Sequence, residues 1–132
     1  MSKILTVVIP SYNVELFLEK TVQSFLADEI LDDIEILIVN DGSKDGTRNI
    51  ALKYEKSYPQ SIKLVDKENG GHGSTINTGL SLANGKYFRV VDGDDWVDTK
   101  AFVSFVKKLK TIDTDMVITP FNEVYIPSMR VV

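Results

Sequence analysis

The sequence predicts an α/β fold, a mostly parallel sheet flanked by helices. Three observations predict it. Two apolar runs, Ile4-Leu5-Thr6-Val7-Val8-Ile9 and Ile34 to Val39, are nearly continuous rather than alternating, as in strands covered on both faces. Segments with apolar residues at helical spacing separate the strand-like runs. Short polar loops come after the strands, which is where parallel sheets carry their ligand sites.

Taken in order, Ile4 to Ile9 is a buried strand that ends at Pro10. Pro10-Ser11-Tyr12-Asn13 is a loop. From Val14 to Ala27, Leu18, Val22, Phe25 and Leu26 recur at helical spacing. Ile34 to Val39 is a second buried strand, followed by Asn40-Asp41-Gly42-Ser43. Asn-Asp-Gly suits a hairpin turn. The segment after Ser43 has a helical pattern, however: Asp45 can cap, and Ile50, Ala51, Tyr54 and Tyr58 share one face. The hairpin is therefore rejected.

Ser61 to Val65 is a third strand, shorter and nearer an edge. Lys67 to Gly73 is a Gly-rich loop. Ser74 to Ala83 is a helix with Ile76, Gly79, Leu80 and Ala83 on one side. Asn84-Gly85 is its expected stop, since either residue tolerates the left-handed conformation. Lys86 to Val91 is a fourth strand, rich in β-branched and aromatic residues. Asp98 to Lys110 is a helix striped by Phe102, Phe105, Val106 and Leu109. Met116 to Thr119 is a fifth strand. This alternation implies right-handed crossovers. It sends Pro10 to Asn13, Asn40 to Ser43 and Asp92 to Trp96 to the carboxyl ends of strands.

At 132 residues the chain is expected to form one domain and to bury roughly two-thirds of its unfolded surface. The net charge of −4 argues against a nucleic-acid partner, which needs a basic face to displace counterions. With 0 cysteines, disulfides and thiolate metal sites are excluded. The first apolar run is too short for a signal peptide, and no stretch approaches the roughly 20 apolar residues of a membrane span. A cytoplasmic location, or the cytoplasmic face of a membrane, is expected.

Asp92-Gly93-Asp94-Asp95-Trp96 places three carboxylates within four residues at a strand end. They repel one another unless something positive sits between them. Hard oxygen ligands suit Mg²⁺ or Mn²⁺, and Mg²⁺ commonly joins one or two carboxylates to substrate phosphates. The bland alternative is a solvated acidic turn that caps the next helix.

Six segments then resemble a known family in order and spacing. They are Val7-Val8-Ile9-Pro10-Ser11-Tyr12-Asn13, Ile38 to Thr47, Asn69-Gly70-Gly71, Asn77-Thr78-Gly79-Leu80, Gly85-Lys86-Tyr87 and Asp92-Gly93-Asp94-Asp95. Together they resemble the family 2 glycosyltransferases, inverting enzymes of the GT-A fold that use nucleotide sugars. The resemblance covers about residues 4 to 120. It implies a Rossmann-like nucleotide-diphospho-sugar transferase architecture and a nucleotide-sugar donor, expected to be a UDP-sugar. It implies a carbohydrate or lipid-linked acceptor of cell-surface or exopolysaccharide type, and peripheral membrane association.

By the same resemblance, Pro10, Ser11 and Tyr12 lie against base and ribose, with Tyr12 stacking. Asp41 accepts a hydrogen bond from a base N–H such as uracil N3–H, which thymine also presents. Asn13, Gly71, Asp92, Gly93 and Asp94 complete the nucleotide-binding set. Asp94, with Asp92 or Asp95, holds Mn²⁺ or Mg²⁺ against the donor's phosphates; which carboxylate ligates stays open. Trp96 borders the sugar or belongs to the core. One departure stands out. Many relatives carry Ala-Arg-Asn where this chain has Thr75-Ile76-Asn77, so a phosphate-neutralising arginine is missing. Lys67, His72 and Arg89 are the candidates to compensate, although a plain surface-loop role is the favoured reading of His72. The general base of an inverting transfer is expected beyond the fifth strand. Glu123 is a candidate that nothing in its setting singles out. The chain is accordingly expected to be the donor-binding part, 1–132, of a C-terminally truncated enzyme that binds donor and transfers poorly.

Rival readings fare worse. Gly71-His72-Gly73-Ser74-Thr75-Ile76 has Ile76 where a dinucleotide fingerprint needs its third small residue. Trp96 stands where a calcium loop needs a ligand. An Asp-x-Asp phosphotransfer pair belongs at the first strand. A non-catalytic nucleotide-sugar-binding module remains the alternative from another class.

Overall fold

The computed structural model describes residues 3–111 and, beyond them, the backbone of two short strands at 117–118 and 124–125. Four parallel strands form the sheet: β1 (Lys3–Ser11), β2 (Ile34–Asp41), β3 (Ile62–Lys67) and β4 (Gly85–Val90), in the order β3-β2-β1-β4. Strand β1 pairs with β2 on one side and β4 on the other, with Val7 opposite both Ile36 and Arg89. The strand order reverses at β1, which makes the carboxyl end of β1 the place where a crevice opens. Strand β3 takes the edge the sequence predicts for it.

The two sheet faces are covered unequally. On one, Leu5, Val7, Ile9, Ile36, Ile38, Ile62 and Tyr87 form the larger core with helices α1 (Leu18–Gln23), α2 (Thr47–Ser57) and α4 (Thr99–Thr111). Phe25 and Phe102 meet edge to face there, with ring centroids 4.8 Å apart. On the other, Val8, Leu37, Val39 and Phe88 make a smaller cluster under helix α3 (His72–Leu82). Gly79 lets α3 come close, because a Cβ there would stand 2.5 Å from a methyl of Val8.

Four expectations change. The first helix is not Val14 to Ala27 but only Leu18–Gln23, with a 3-10 turn at Asp28–Ile30. The backbone N–H groups of Asn13, Val14 and Glu15 donate to the side chains of Ser43, Thr47 and Asp45, and the chain enters α1 through a turn in which the Phe17 and Leu18 N–H groups donate to the Val14 carbonyl. Helix α3 begins at His72, two residues earlier than its periodicity suggests, so the end of the Gly-rich loop is already helical. Asn84-Gly85 does come after α3, but neither residue is left-handed. The stop is made by the buried Glu35 carboxylate, which accepts from the Asn84 backbone N–H (3.0 Å) and side-chain amide (2.9 Å). Lastly, β5 (Val117–Ile118) pairs antiparallel with β6 (Val124–Tyr125) as a separate two-stranded ribbon rather than extending the parallel sheet. Met116, Thr119 and Glu123 lie outside the described residues. Among the described residues no helix is long and apolar enough to cross a membrane.

Candidate functional site

Three loops meet at the carboxyl ends of β1, β2 and β4, and each is tied to another. The loop after β1 is clasped to the loop after β2. Asn13 adopts a left-handed conformation with φ 53, its N–H donates to Ser43 Oγ (3.0 Å), and its Oδ1 accepts from Lys44 N–H (2.9 Å). Glu15 Oε2 accepts from Gly46 N–H (3.0 Å). Asp45 Oδ1 accepts from Thr47 N–H (2.9 Å), although the N-cap position of α2 falls on Gly46 rather than on Asp45 as expected. The loop after β4 is drawn to the end of β1, where Gly93 N–H donates to the Pro10 carbonyl (3.1 Å). Gly93 is buried there, and a Cβ would stand 2.8 Å from Val14 and 2.9 Å from Ser11 Oγ. Its part is close approach between loops.

Asp41 ends β2 with its side chain only 6% exposed. Oδ1 accepts from Lys67 Nζ (3.0 Å) and Gly70 N–H (2.8 Å), and Oδ2 accepts from Gly71 N–H (3.0 Å). Burial alone would raise its pKa. The Gly70 N–H, the Lys67 ammonium and the Gly71 N–H outweigh it and hold the carboxyl below the ordinary aspartate range. The carboxylate is therefore ionised near neutral pH. One edge of it faces a cavity of about 350 Å³ lined by Pro10, Ser11, Tyr12, Asp41, Asn69, Gly71, His72 and Thr75. Tyr12 is 48% exposed, which leaves a ring face open to a ligand.

A second cavity of about 350 Å³ adjoins the loop after β4 and is lined by His72, Arg89, Val90, Val91, Asp92, Asp95, Trp96 and Val97. Asp92, Asp94 and Asp95 are exposed, and each offers a carboxylate oxygen within 4.8 Å of the others. Three hard oxygens at that spacing, open to solvent, fit a divalent cation that keeps waters and phosphate oxygens in its shell. His72 lines both cavities, and its Nε2 lies 3.5 Å from Asp92 Oδ1. Trp96 is half exposed, with Lys20 Nζ 3.8 Å from its ring centroid, so it is not a core residue. A larger cavity, about 770 Å³, lies elsewhere among the described residues, along β3 and the ends of α2 and α3 around Leu37, Glu55, Val65 and Leu82. It contains none of the residues that the sequence singles out.

With that geometry in place, the family model described as glycosyl transferase family 2 matches residues 6–128. The chain belongs to glycosyl transferase family 2. It is 38% identical over 117 residues to the uncharacterized glycosyltransferase EpsJ of Bacillus subtilis (strain 168), covering 89% of this chain and 33% of that protein. Its fold is similar to S. aureus TarS 1-349 in complex with UDP, with TM-score 0.75, 25% identity, and coverage of 86% of this chain and 34% of that one. It is also similar in fold to the mannosyltransferase PcManGT from Pyrobaculum calidifontis in complex with GDP-Man and Mn²⁺, with TM-score 0.72, 24% identity, and coverage of 87% and 34%. These neighbours are GT-A glycosyltransferases, and the four-stranded parallel sheet flanked by helices is the same architecture. The chain spans about a third of the length of each of these proteins.

Within this family framework the residues singled out by sequence fall into three sets. Pro10, Ser11, Tyr12, Asp41 and Gly71 line one hollow, while Asp92 and Asp95 line the next, with Asp94 beside them. Asn13 and Gly93 line neither and act in the clasp between loops. Asn69 and Thr75 line the first hollow and were not anticipated. His72 and Thr75 share a helical face only if α3 starts at His72, so a helix start at Ser74 hides Thr75. His72, read from sequence as a loop histidine, opens α3 between the two hollows.

Proposed function

We propose that the chain is the donor-binding part of an inverting glycosyltransferase that takes a UDP-sugar with a divalent cation and glycosylates a carbohydrate or lipid-linked acceptor. The observation that carries this is the gathering of Tyr12, Asp41 and Gly71 around one hollow that adjoins the acidic hollow through His72. In this reading Tyr12 stacks on the base, Asp41 reads an N–H of its edge, and Asp92, Asp94 and Asp95 hold Mn²⁺ or Mg²⁺. The cation, when bound, offsets charge on the departing nucleoside diphosphate.

The bonding of Asp41 favours uracil or thymine over guanine. Oδ1 already accepts two hydrogen bonds, so only Oδ2 has capacity left. A single remaining acceptor suits an edge that presents one N–H between two carbonyls. Uracil N3–H between O2 and O4 is such an edge. Guanine offers two adjacent donors, N1–H and N2–H, which want both carboxylate oxygens. TarS in complex with UDP is in keeping with the uridine choice; PcManGT in complex with GDP-Man shows that the fold alone does not decide it.

A thermal-shift and titration panel of UDP, GDP, CDP and ADP with Mn²⁺ tests the proposal. UDP at a hundred times its dissociation constant should stabilise the protein by roughly 2.7 kcal/mol. Guanosine diphosphate binding as tightly as UDP would overturn the base assignment. No stabilisation by any nucleoside diphosphate would overturn the donor site itself.

A further inference from the structure

We propose that His72 is a donor-positioning residue whose imidazole N–H hydrogen-bonds the diphosphate of the bound nucleotide. This rests on the nucleotide reading above and adds a residue to it. His72 lines both 350 Å³ hollows, so a ligand with its base beside Asp41 and its phosphates beside Asp92 must cross the strip where His72 stands.

Two backbone N–H groups of this loop, those of Gly70 and Gly71, are committed to the Asp41 carboxylate. The first hollow is lined by no lysine or arginine among the described residues. In the second, Arg89 is 4% exposed, whereas the His72 side chain is 59% exposed. His72 is therefore the accessible basic side chain at the junction. Its 3.5 Å approach to Asp92 Oδ1 is long for a hydrogen bond, so turning from the carboxylate to a phosphate oxygen sacrifices little. A ring N–H is available in the neutral imidazole as well as in the charged one, so the contact does not depend on protonation.

The test is a titration series with uridine and UDP, in Mn²⁺ and in EDTA, on the purified protein and its His72→Ala and His72→Gln variants. His72→Ala should weaken UDP about tenfold, as for loss of a hydrogen bond to a charged group, and leave uridine within about twofold. His72→Gln, which keeps an N–H donor, should recover much of the loss. The UDP penalty should persist in EDTA. Equal losses for uridine and UDP would mean that His72 only shapes the loop. A penalty seen only with Mn²⁺ would mean that it acts through Asp92. Unchanged UDP binding would place it off the ligand path. Each of these overturns the proposal. Asp41→Asn and Tyr12→Ala serve as controls for the underlying reading: if they too leave uridine and UDP binding untouched, it is the nucleotide site that fails, not the assignment of His72.

Discussion

The two hollows on the rim differ in how much of their polar chemistry is already spent. Around the first, Asp41 accepts three hydrogen bonds from protein donors and is nearly buried, and the neighbouring loops are cross-linked from Asn13 to Gly46. Around the second, three exposed carboxylates gather at the end of β4, with His72 near Asp92 and the Asp95 N–H donating to the Asp92 carbonyl. A satisfied buried carboxylate is preorganised and selective. A cluster of like charges is left in tension until a cation arrives. On the proposed function the two divide the labour: the first hollow chooses the nucleoside and the second holds the charge.

The largest effect should come from breaking the built half. Asp41→Asn replaces a charged acceptor by an amide whose NH₂ must face donors. UDP affinity should fall about a hundredfold, since hydrogen bonds to charged groups contribute roughly 1.5–3 kcal/mol. The same variant should lose stability, because Lys67 Nζ, 16% exposed, is left without its carboxylate. If Asp41→Asn binds UDP as tightly as the parent, the first hollow is not the reader of the base.

The next effect addresses the unbuilt half. Asp94→Ala should leave uridine binding unchanged and abolish the gain in UDP affinity that Mn²⁺ confers over EDTA, a gain expected to be about tenfold or more. Titrations of uridine and UDP under both conditions separate the two hollows. Loss of uridine binding in Asp94→Ala would show that the halves are not separable.

Much of this layout was legible in the sequence, for physical reasons that also explain what was not. The continuous apolar runs at Ile4 to Ile9 and Ile34 to Val39 predict buried parallel strands because no other element buries both faces of so short a segment. The convergence of loops stems from that alternation. Local pattern fails where long-range bonds decide. Spacing gives no sign that the N–H groups of Asn13, Val14 and Glu15 are taken by Ser43, Thr47 and Asp45, about thirty residues away. The stop after α3 is set by Glu35, 49 residues from Asn84. His72 became informative only once its helix was placed between two cavities, and no spacing rule carries that.

A smaller effect tests whether the first hollow depends on the packing beneath it. Gly79→Ala inserts a Cβ about 2.5 Å from Val8, in the thin core under α3. Overpacking of this kind costs roughly 1–3 kcal/mol, read as a lower Tm. Because α3 carries His72 and Thr75, a shift of the helix should also weaken UDP more than it weakens Mn²⁺ binding measured alone. A variant that unfolds early but binds UDP normally would show that the rim is insulated from that core.

The smallest effect is a pH dependence, and its sign comes from Asp41. The folded pKa lies below the unfolded aspartate value of about 3.9, so the group binds fewer protons when folded. Its stabilising contribution is present above that unfolded value and is lost as pH falls through the folded one. Asp45 is shifted in the same direction, its burial outweighed by bonds from Thr47 and Glu15, so part of the acid loss should survive removal of Asp41. Urea unfolding from pH 7 down to about 3 should therefore show a shallower acid loss in Asp41→Asn than in the parent. Neutralising one of the three exposed aspartates relieves repulsion, so Asp94→Asn should leave the midpoint unchanged or slightly raised at pH 7. If Asp94→Asn instead reproduced the flattened acid profile of Asp41→Asn, the acidic trio would be a bonded structural element, and the distinction between a built hollow and a waiting one would collapse.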